Sequence, residues 1–501
     1  MSMKSPASAP PAEARNPRRW LGLVFIGLAQ LMIVLDITIV NIALPSAQQD
    51  LGISSGDRQW VITAYTLAFG SLLLLGGRIA DRTGRRRAFL IGLVGFAGAS
   101  ALGGAAGDLG LLLTARTLQG VFAALLAPSA LSLLTVSFTE ARERAKAFGV
   151  FGAIAAGGGA VGLVVGGLLT EYLDWRWCLY VNVPIAAVAL FGRLVLPADA
   201  PAAGRTRTDW PGVLLAVSGL VSVVYGCSEA ESEGWDSRLV VGLLTLGVVL
   251  LVAFVLRESR TPSPLLPLRV VADRARGSAY LAVALAVIGM FGMFLFLTYY
   301  MQVVKDYSAV LTGVAFLPLT GGVLAGAGGI ATRLLPRVPP RALVVPGLTL
   351  AAAGTGWLSF VEADTSYAAG VLPAEILVGL GMGLVMATSM NYATRGVRPE
   401  DSGIASATVN TAQQIGGSVG TALLNTVAAS ATADHLAGRP RSPEALREGL
   451  VVGFQEAYTV AALVLLGAAF LIGLLMNAPR PRHDAAAGPP ASHEAPAAHL
   501  G

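Results

Sequence analysis

The sequence predicts an all-α integral membrane protein. It expects fourteen transmembrane helices, arranged as two six-helix bundles with two further helices inserted between them. Three observations carry this reading. Of 501 residues, 54% are hydrophobic and only 13% charged, about half the charged share of a soluble domain. The apolar residues gather into fourteen runs, and a helix needs roughly 20 of them to cross hydrocarbon, where its backbone finds no water. The chain also resembles itself: "GRIADR" (77–82) returns as "GGIATR" (328–333), and "GGAVG" (158–162) as "GGSVG" (416–420), at offsets of 251 and 258 residues.

Taken in order, the runs lie at about 20–45, 60–80, 88–107, 109–136, 146–170, 177–196 and 210–228. They continue at about 238–256, 278–304, 309–332, 342–361, 366–391, 403–430 and 454–476. The first follows Arg15, Arg18 and Arg19 but is too long for the core of a signal peptide and contains Asp36, so it reads as a span. The second runs into "GGRIADRTGRRR" (76–87), a burst of charge between two greasy stretches. The two echoes make spans 1–6 and 9–14 copies of each other. The expected organisation is therefore a tail at 1–17, a bundle at 18–200, two inserted helices at 201–260, a second bundle at 261–476 and a tail at 477–501. Both tails are polar and rich in Pro and Ala, a composition that reads as disordered. Two parallel six-helix halves around a central cavity are the plan of secondary transporters that rock about a midplane site.

Charge placement orients the spans. With both termini in the cytoplasm, 27 of the 35 Lys and Arg fall on the cytoplasmic side and seven on the other, with Arg116 inside a span. That asymmetry is the positive-inside pattern of a multi-pass cell-membrane protein. It accounts for the pI near 9.3 without nucleic acid.

Charges inside a bilayer are costly and mark function by default. The acids within spans are Asp36, in "LDITIVNIALP", and Glu375, in "LPAEILVGLGMG"; the base is Arg116, in "LLLTARTLQG". A carboxylate in a low-dielectric cavity holds its proton more tightly, and a nearby Arg reverses this. Asp36 is therefore the expected proton carrier and Arg116 the charge that tunes it, against the alternative of a static pair that only fixes packing. Glu375 reads as a second protonatable site, as a contact for a cationic substrate, or as an acid near the outer end of its span beside Pro373.

Softer candidates for a substrate cavity are Asn41, Gln119, Asn410, Gln413 and Gln414, which would otherwise bond helix to helix. Phe291, Phe294, Met382, Met386 and Met390 form stripes that suit either packing or an adaptable apolar pocket. Gly158, Gly159, Gly162, Gly166 and Gly167 would let span 5 approach a neighbour closely. In the 76–87 turn, Gly77 and Gly84 suit close approach and reversal, while Asp81 suits a clamp on an Arg and a helix N-terminus.

Other chemistries lack their residues. No Lys follows a Gly, as a phosphate-binding loop requires. The four His lie at 435, 483, 493 and 499, away from the spans, and the two Cys cannot build a metal site. No cofactor or metal is expected, nor a catalytic group, and an ion gradient remains as the energy source.

These motifs together resemble the major facilitator superfamily and, within it, the fourteen-span drug:proton antiporters. The turn matches the superfamily's G-x-L-A-D-R-x-G-R-K pattern through Gly77, Ala80, Asp81, Arg82, Gly84 and Arg85, with Ile79 in place of Leu. "LDITIVNIALP" (35–45) and "DWRWCLYVNVP" (174–184) are similar to segments of that group. "RTLQG" (116–120) is similar to its R-x-x-Q-G motif, whose Arg is held to take part in proton coupling. The antiporter motif of span 5 normally ends G-P-x-x-G-G; here it is "GLVVGG" (162–167), with Leu163 for proline. The resemblance implies a monomeric efflux protein of the cell membrane that exchanges protons for a lipophilic, cation-tolerant drug or antibiotic. A proton-coupled carrier of another metabolite, or a polytopic enzyme or receptor, stays open.

Overall fold

A computed structural model describes residues 18–54, 57–138, 140–199, 209–261, 264–266, 268–394, 397, 402–438 and 442–476. Both predicted tails, and the start of the predicted 201–260 insertion, lie outside the described residues. Apolar composition and scarce turn residues leave helix as the way to satisfy the backbone, and the described elements are all helical. In chain order they are α1 (Arg19–Leu51), α2 (Trp60–Thr83), α3 (Arg85–Gly104), α4 (Leu109–Ser137) and α5 (Ala141–Tyr172). Next come α6 (Trp177–Leu194, tightening to a 3₁₀ turn at Phe191–Leu194), α7 (Trp210–Glu233), α8 (Arg238–Glu258) and α9 (Arg274–Val304, ending in a π turn). The last five are α10 (Ala309–Leu334), α11 (Arg341–Leu358), α12 (Tyr367–Ala393), α13 (Ser402–Leu436) and α14 (Pro443–Leu475).

The fourteen expected spans thus each correspond to a long helical segment among the described residues. Among the described residues, ten are long and apolar enough to cross a membrane by their own composition. Polar side chains also join α2 and the residue before it to α13: Thr66 Oγ1 lies 2.7 Å from Ser418 Oγ, and Asn425 accepts from Arg58. Such helices need not be greasy all round, because their polar atoms are satisfied inside the protein. At the other extreme, α8 has a mean hydropathy of 3.0 and buries 17% of its apolar window, as a lipid-facing helix does.

Packing follows small residues. α2 and α4 cross closely because Gly120 lies on the α2 backbone: a Cβ there would stand 2.5 Å from the Tyr65 carbonyl. In the first half α4 lies along both α2 and α3, and α1 along α5; in the second, α12 lies between α10 and α11, while α13 joins α9 to α14. α7 and α8 pair with each other, and α7 rests on both α2 and α13. Asp209 caps α7 and binds Arg257 at 2.7 Å, fastening the two together. Glu258 accepts from the Leu266 N–H, and Arg78 of α2 donates to the Pro264 carbonyl, tying the following connection to the first half.

Candidate functional site

Asp36 lies in the middle of α1 and is fully buried. Its Oδ2 accepts from Arg116 Nη1 of α4 at 2.6 Å. Its Oδ1 accepts from Gln119 Nε2 of α4 and from Asn182 Nδ2 of α6, each at 2.8 Å. Ser100 Oγ of α3 accepts from the same two amides, at 2.8 and 3.3 Å. Arg116 is held in turn: its Nε donates to Val61 O at 2.9 Å, a further N–H reaches Gln119 Oε1 at 2.9 Å, and its guanidinium lies 4.5 Å from the Tyr65 ring centroid. Gln119 stands one turn after Arg116, so one face of α4 presents both donors to α1. Five helices therefore converge on one carboxylate. Charge-assisted bonds of this kind are short and strong, and the Asn182 Oδ1 and Tyr65 hydroxyl at its rim have no hydrogen-bond partner.

The structure thus joins Asp36, Arg116 and Gln119, with Gln119 bonded to the carboxylate. Asn182, Ser100 and Tyr65 were absent from the sequence expectation. Asn182 sits in the quoted "VNVP", and a lone amide inside an apolar run was the available signal; Ser100 and Tyr65 carried none.

The 76–87 turn joins α2 to α3 through Gly84, whose φ of +104° suits glycine. A Cβ there would collide with the Asp199 carboxyl. Asp199 accepts from the Arg86 and Arg87 N–H groups at 2.8 and 3.2 Å, closing the N-terminus of α3. The acid seen on that helix N-terminus is Asp199, which follows α6. The Asp81 side chain lies outside the described residues. Gly77 faces Pro128 of α4, and Arg82 is exposed.

Glycines on α5 divide their contacts. Gly158, Gly162 and Gly166 face α1 at Leu31, Thr38 and Ile39, while Gly167 faces the backbone of Ala309 at the start of α10. Gly159 meets nothing within 4 Å and plays no part in close approach, contrary to expectation. Gly313 of α10 returns the contact, lying against the carbonyl of Leu163. Leu163, in the place of the motif's proline, is buried and belongs to an apolar core made of residues from both halves.

Glu375 lies in the first turn of the regular part of α12 and is fully buried. Its Oε2 is 3.2 Å from the Tyr367 hydroxyl, and its Oε1 has no partner. The remaining cavity candidates separate. Asn41 Nδ2 donates to Thr298 Oγ1 at 3.1 Å, and Phe294 stacks on Phe316 with centroids 4.7 Å apart. Phe291 packs on Gly417, and Gln414 against Gly70. Met382 is buried, whereas Met386 is half-buried and receives Gln413 Nε2 at 3.6 Å. Arg58, counted as a loop charge, is buried between Asn425 and the Tyr299 ring, 4.2 Å from its centroid.

Hydrogen bonds at Asn41, Gln48, Arg58, Thr66, Glu171 and Gln302 join α1–α6 and the connection before α2 to α9–α14, toward the end of the bundle that carries the 52–58 and 305–308 connections. At that end a cleft of about 230 Å³ opens between Gln49, Glu171, Gln302 and Tyr307.

Comparison with known proteins agrees with this geometry. The profile of the Major Facilitator Superfamily matches residues 26–421. The puromycin resistance protein of Streptomyces alboniger is 57% identical over 95% of this chain and 96% of its own. The cephamycin export protein of Amycolatopsis lactamdurans is 38% identical over 90% and 92%, and the tetracenomycin C resistance and export protein of Streptomyces glaucescens 35% over 85% and 78%. The peptide-transporter-family structure PepTSo has the same fold, with a TM-score of 0.66 over 91% of this chain and 97% of that one at 16% identity. A multi-pass helical chain in which five of the first six helices converge on a buried, Arg-paired carboxylate, and whose relatives include antibiotic resistance and export proteins, belongs to the Major Facilitator Superfamily.

Proposed function

We propose that this chain exports a lipophilic, cation-tolerant antibiotic from the cytoplasm in exchange for external protons. The bundles at 18–200 and 261–476 rock against each other, with 201–260 as an insertion, and the protein works as a monomer with both termini in the cytoplasm. The observation that carries the reading is the buried Asp36–Arg116 pair. A carboxylate bound to one guanidinium and two amides is stable as an anion; a proton arriving from outside neutralises it and frees Arg116. That change in charge inside a low-dielectric site alters which bundle arrangement is favoured, which is what coupling requires. The hydrogen-bonded end of the bundle is then the outer one, and this conformation opens inward. Glu375 serves as a second protonatable group. Half-buried Phe291, Phe294, Met386 and Gln413 form the adaptable face met by substrate.

Everted vesicles with an acidified interior test this. Puromycin is the first compound to try, given the 57% identical relative. Its addition is expected to alkalinise the interior of vesicles carrying this protein, and not of vesicles carrying the D36N variant, which corrects for passive entry of the compound. Equal responses in both would remove the proton-coupling claim.

A further inference from the structure

The C-terminal half holds a second buried acid in surroundings opposite to those of Asp36. Among the described residues, no hydrogen bond or ion pair from a basic side chain reaches Glu375; the titratable groups it faces are Tyr367 on its own span and Tyr458 on α14. Tyr307 lies toward Tyr367, and Tyr300 toward Tyr458. The Tyr367 hydroxyl donates to the Ala315 carbonyl at 2.7 Å and touches Glu375 Oε2 at 3.2 Å. A phenol has one proton to give. With that proton on the shorter contact, the longer one is completed by an O–H on Glu375. A neutral acid also explains how Oε1 is left without a partner in a fully buried site, where an ionised oxygen would be far more costly.

Ala315 is no ordinary acceptor. α10 is interrupted at Phe316, between the helical turns Ala309–Ala315 and Leu317–Leu324, with Pro318 in the second. Two residues before that carbonyl, Gly313 packs on the α5 backbone at Leu163, and the contact is completed by Gly167 on Ala309 and by the Val310 N–H on Glu171 at 3.0 Å. These contacts close one end of the boundary between the bundles.

We propose that Glu375 carries a proton in this conformation, and that Tyr367 is the positioning residue that links this proton to the α10 break and so to the α5–α10 closure. When Glu375 loses its proton, Tyr367 must turn its own hydroxyl proton to the carboxylate. The Ala315 carbonyl is then released, the break in α10 loosens, and the α5–α10 contact opens. This deepens the role given to Glu375 above and rests on that reading for its place in transport, while the link itself is open to a test that needs no transport.

Spin labels at Tyr172 on α5 and Leu311 on α10, both exposed, report the separation. The full-length protein is placed in lipid nanodiscs and measured from pH 6 to 9, with E375Q separating a response of Glu375 from one of Asp36. Glu171 stays ionised through this range, since Ser308 and the Val310 N–H hold its carboxyl below the usual value. The parent distance is expected to shift from short to long as pH rises. E375Q, neutral and still able to donate to the Tyr367 oxygen, is expected to stay short throughout. Y367F, lacking the hydroxyl, is expected to be long throughout. A parent distance that does not move with pH, an E375Q variant that follows the parent, or a Y367F variant that keeps the parent's response would each overturn the proposal. Failure of the vesicle experiment alone would remove proton-coupled export and leave this link standing; failure here alone would leave export standing.

Discussion

Replacing Asp36 by Asn preserves the shape of the side chain and removes its charge. The Asn Oδ1 still accepts from Gln119 and Asn182, but its Nδ2 now faces Arg116 Nη1 at the former 2.6 Å contact, donor against donor. Arg116 keeps Val61 O and Gln119 Oε1 and loses its one counter-ion. Removing one partner of a buried pair typically costs about 3–5 kcal/mol, because the other charge is left uncompensated. For a helical half of this size that corresponds to a fall in Tm on the order of 10 °C. The protein carries its own reporter: Cys178 and Cys227 are free and buried, so a thiol-reactive fluorophore in detergent follows unfolding. R116Q is expected to fall by a similar amount, and the D36N/R116Q double variant to recover at least half of the combined loss, since neither charge is then stranded. If D36N melts within a degree of the parent, or if the double variant is as unstable as the two losses added, the pair is not energetically coupled and the reasoning fails.

Two other outcomes follow from local geometry. Gly84→Ala forces a side chain onto a φ of +104° and into the Asp199 carboxyl, with an expected loss of about 1–3 kcal/mol and reduced export; an unchanged melting curve would refute the clamp on α3. Burial alone would raise the Asp209 carboxyl, but the Arg257 guanidinium and the Gly212 N–H outweigh it and hold the group below its usual range. A group lowered in the folded state stabilises above its unfolded pKa of about 4 and stops doing so as pH falls through the folded value. The parent should therefore melt above D209N at pH 7, by about 1 kcal/mol for a pair whose Arg is part-exposed, with the gap narrowing toward pH 3; an equal gap at both pH values would argue against the pair.

Legibility of the site depended on the kind of residue. Asp36, Arg116 and Glu375 stood out because a charge inside an apolar run has few explanations, and Gly84 because a reversal between two helices favours glycine. Asn182, Ser100 and Tyr65 were hidden because serine and tyrosine are common in membrane helices and their meaning lies in what they face. Asp199 was hidden because it sits 113 residues beyond the helix terminus it closes. Arg58, one of the seven charges expected in outer loops, does lie in the connection before α2, and only its burial against Tyr299 and Asn425 places it between the bundles.

The sequence by itself determined that the chain crosses a membrane many times, where most of its helices begin and end to within about six residues (α14 begins eleven residues before its apolar run), and which charges lie inside the runs. Those properties follow from transfer free energy, which is summed residue by residue along the chain. Tertiary structure alone decided which donors satisfy each buried acid. That choice is made by side chains far apart in sequence, and it left Asp36 held by a guanidinium and two amides while Glu375 faces one tyrosine hydroxyl.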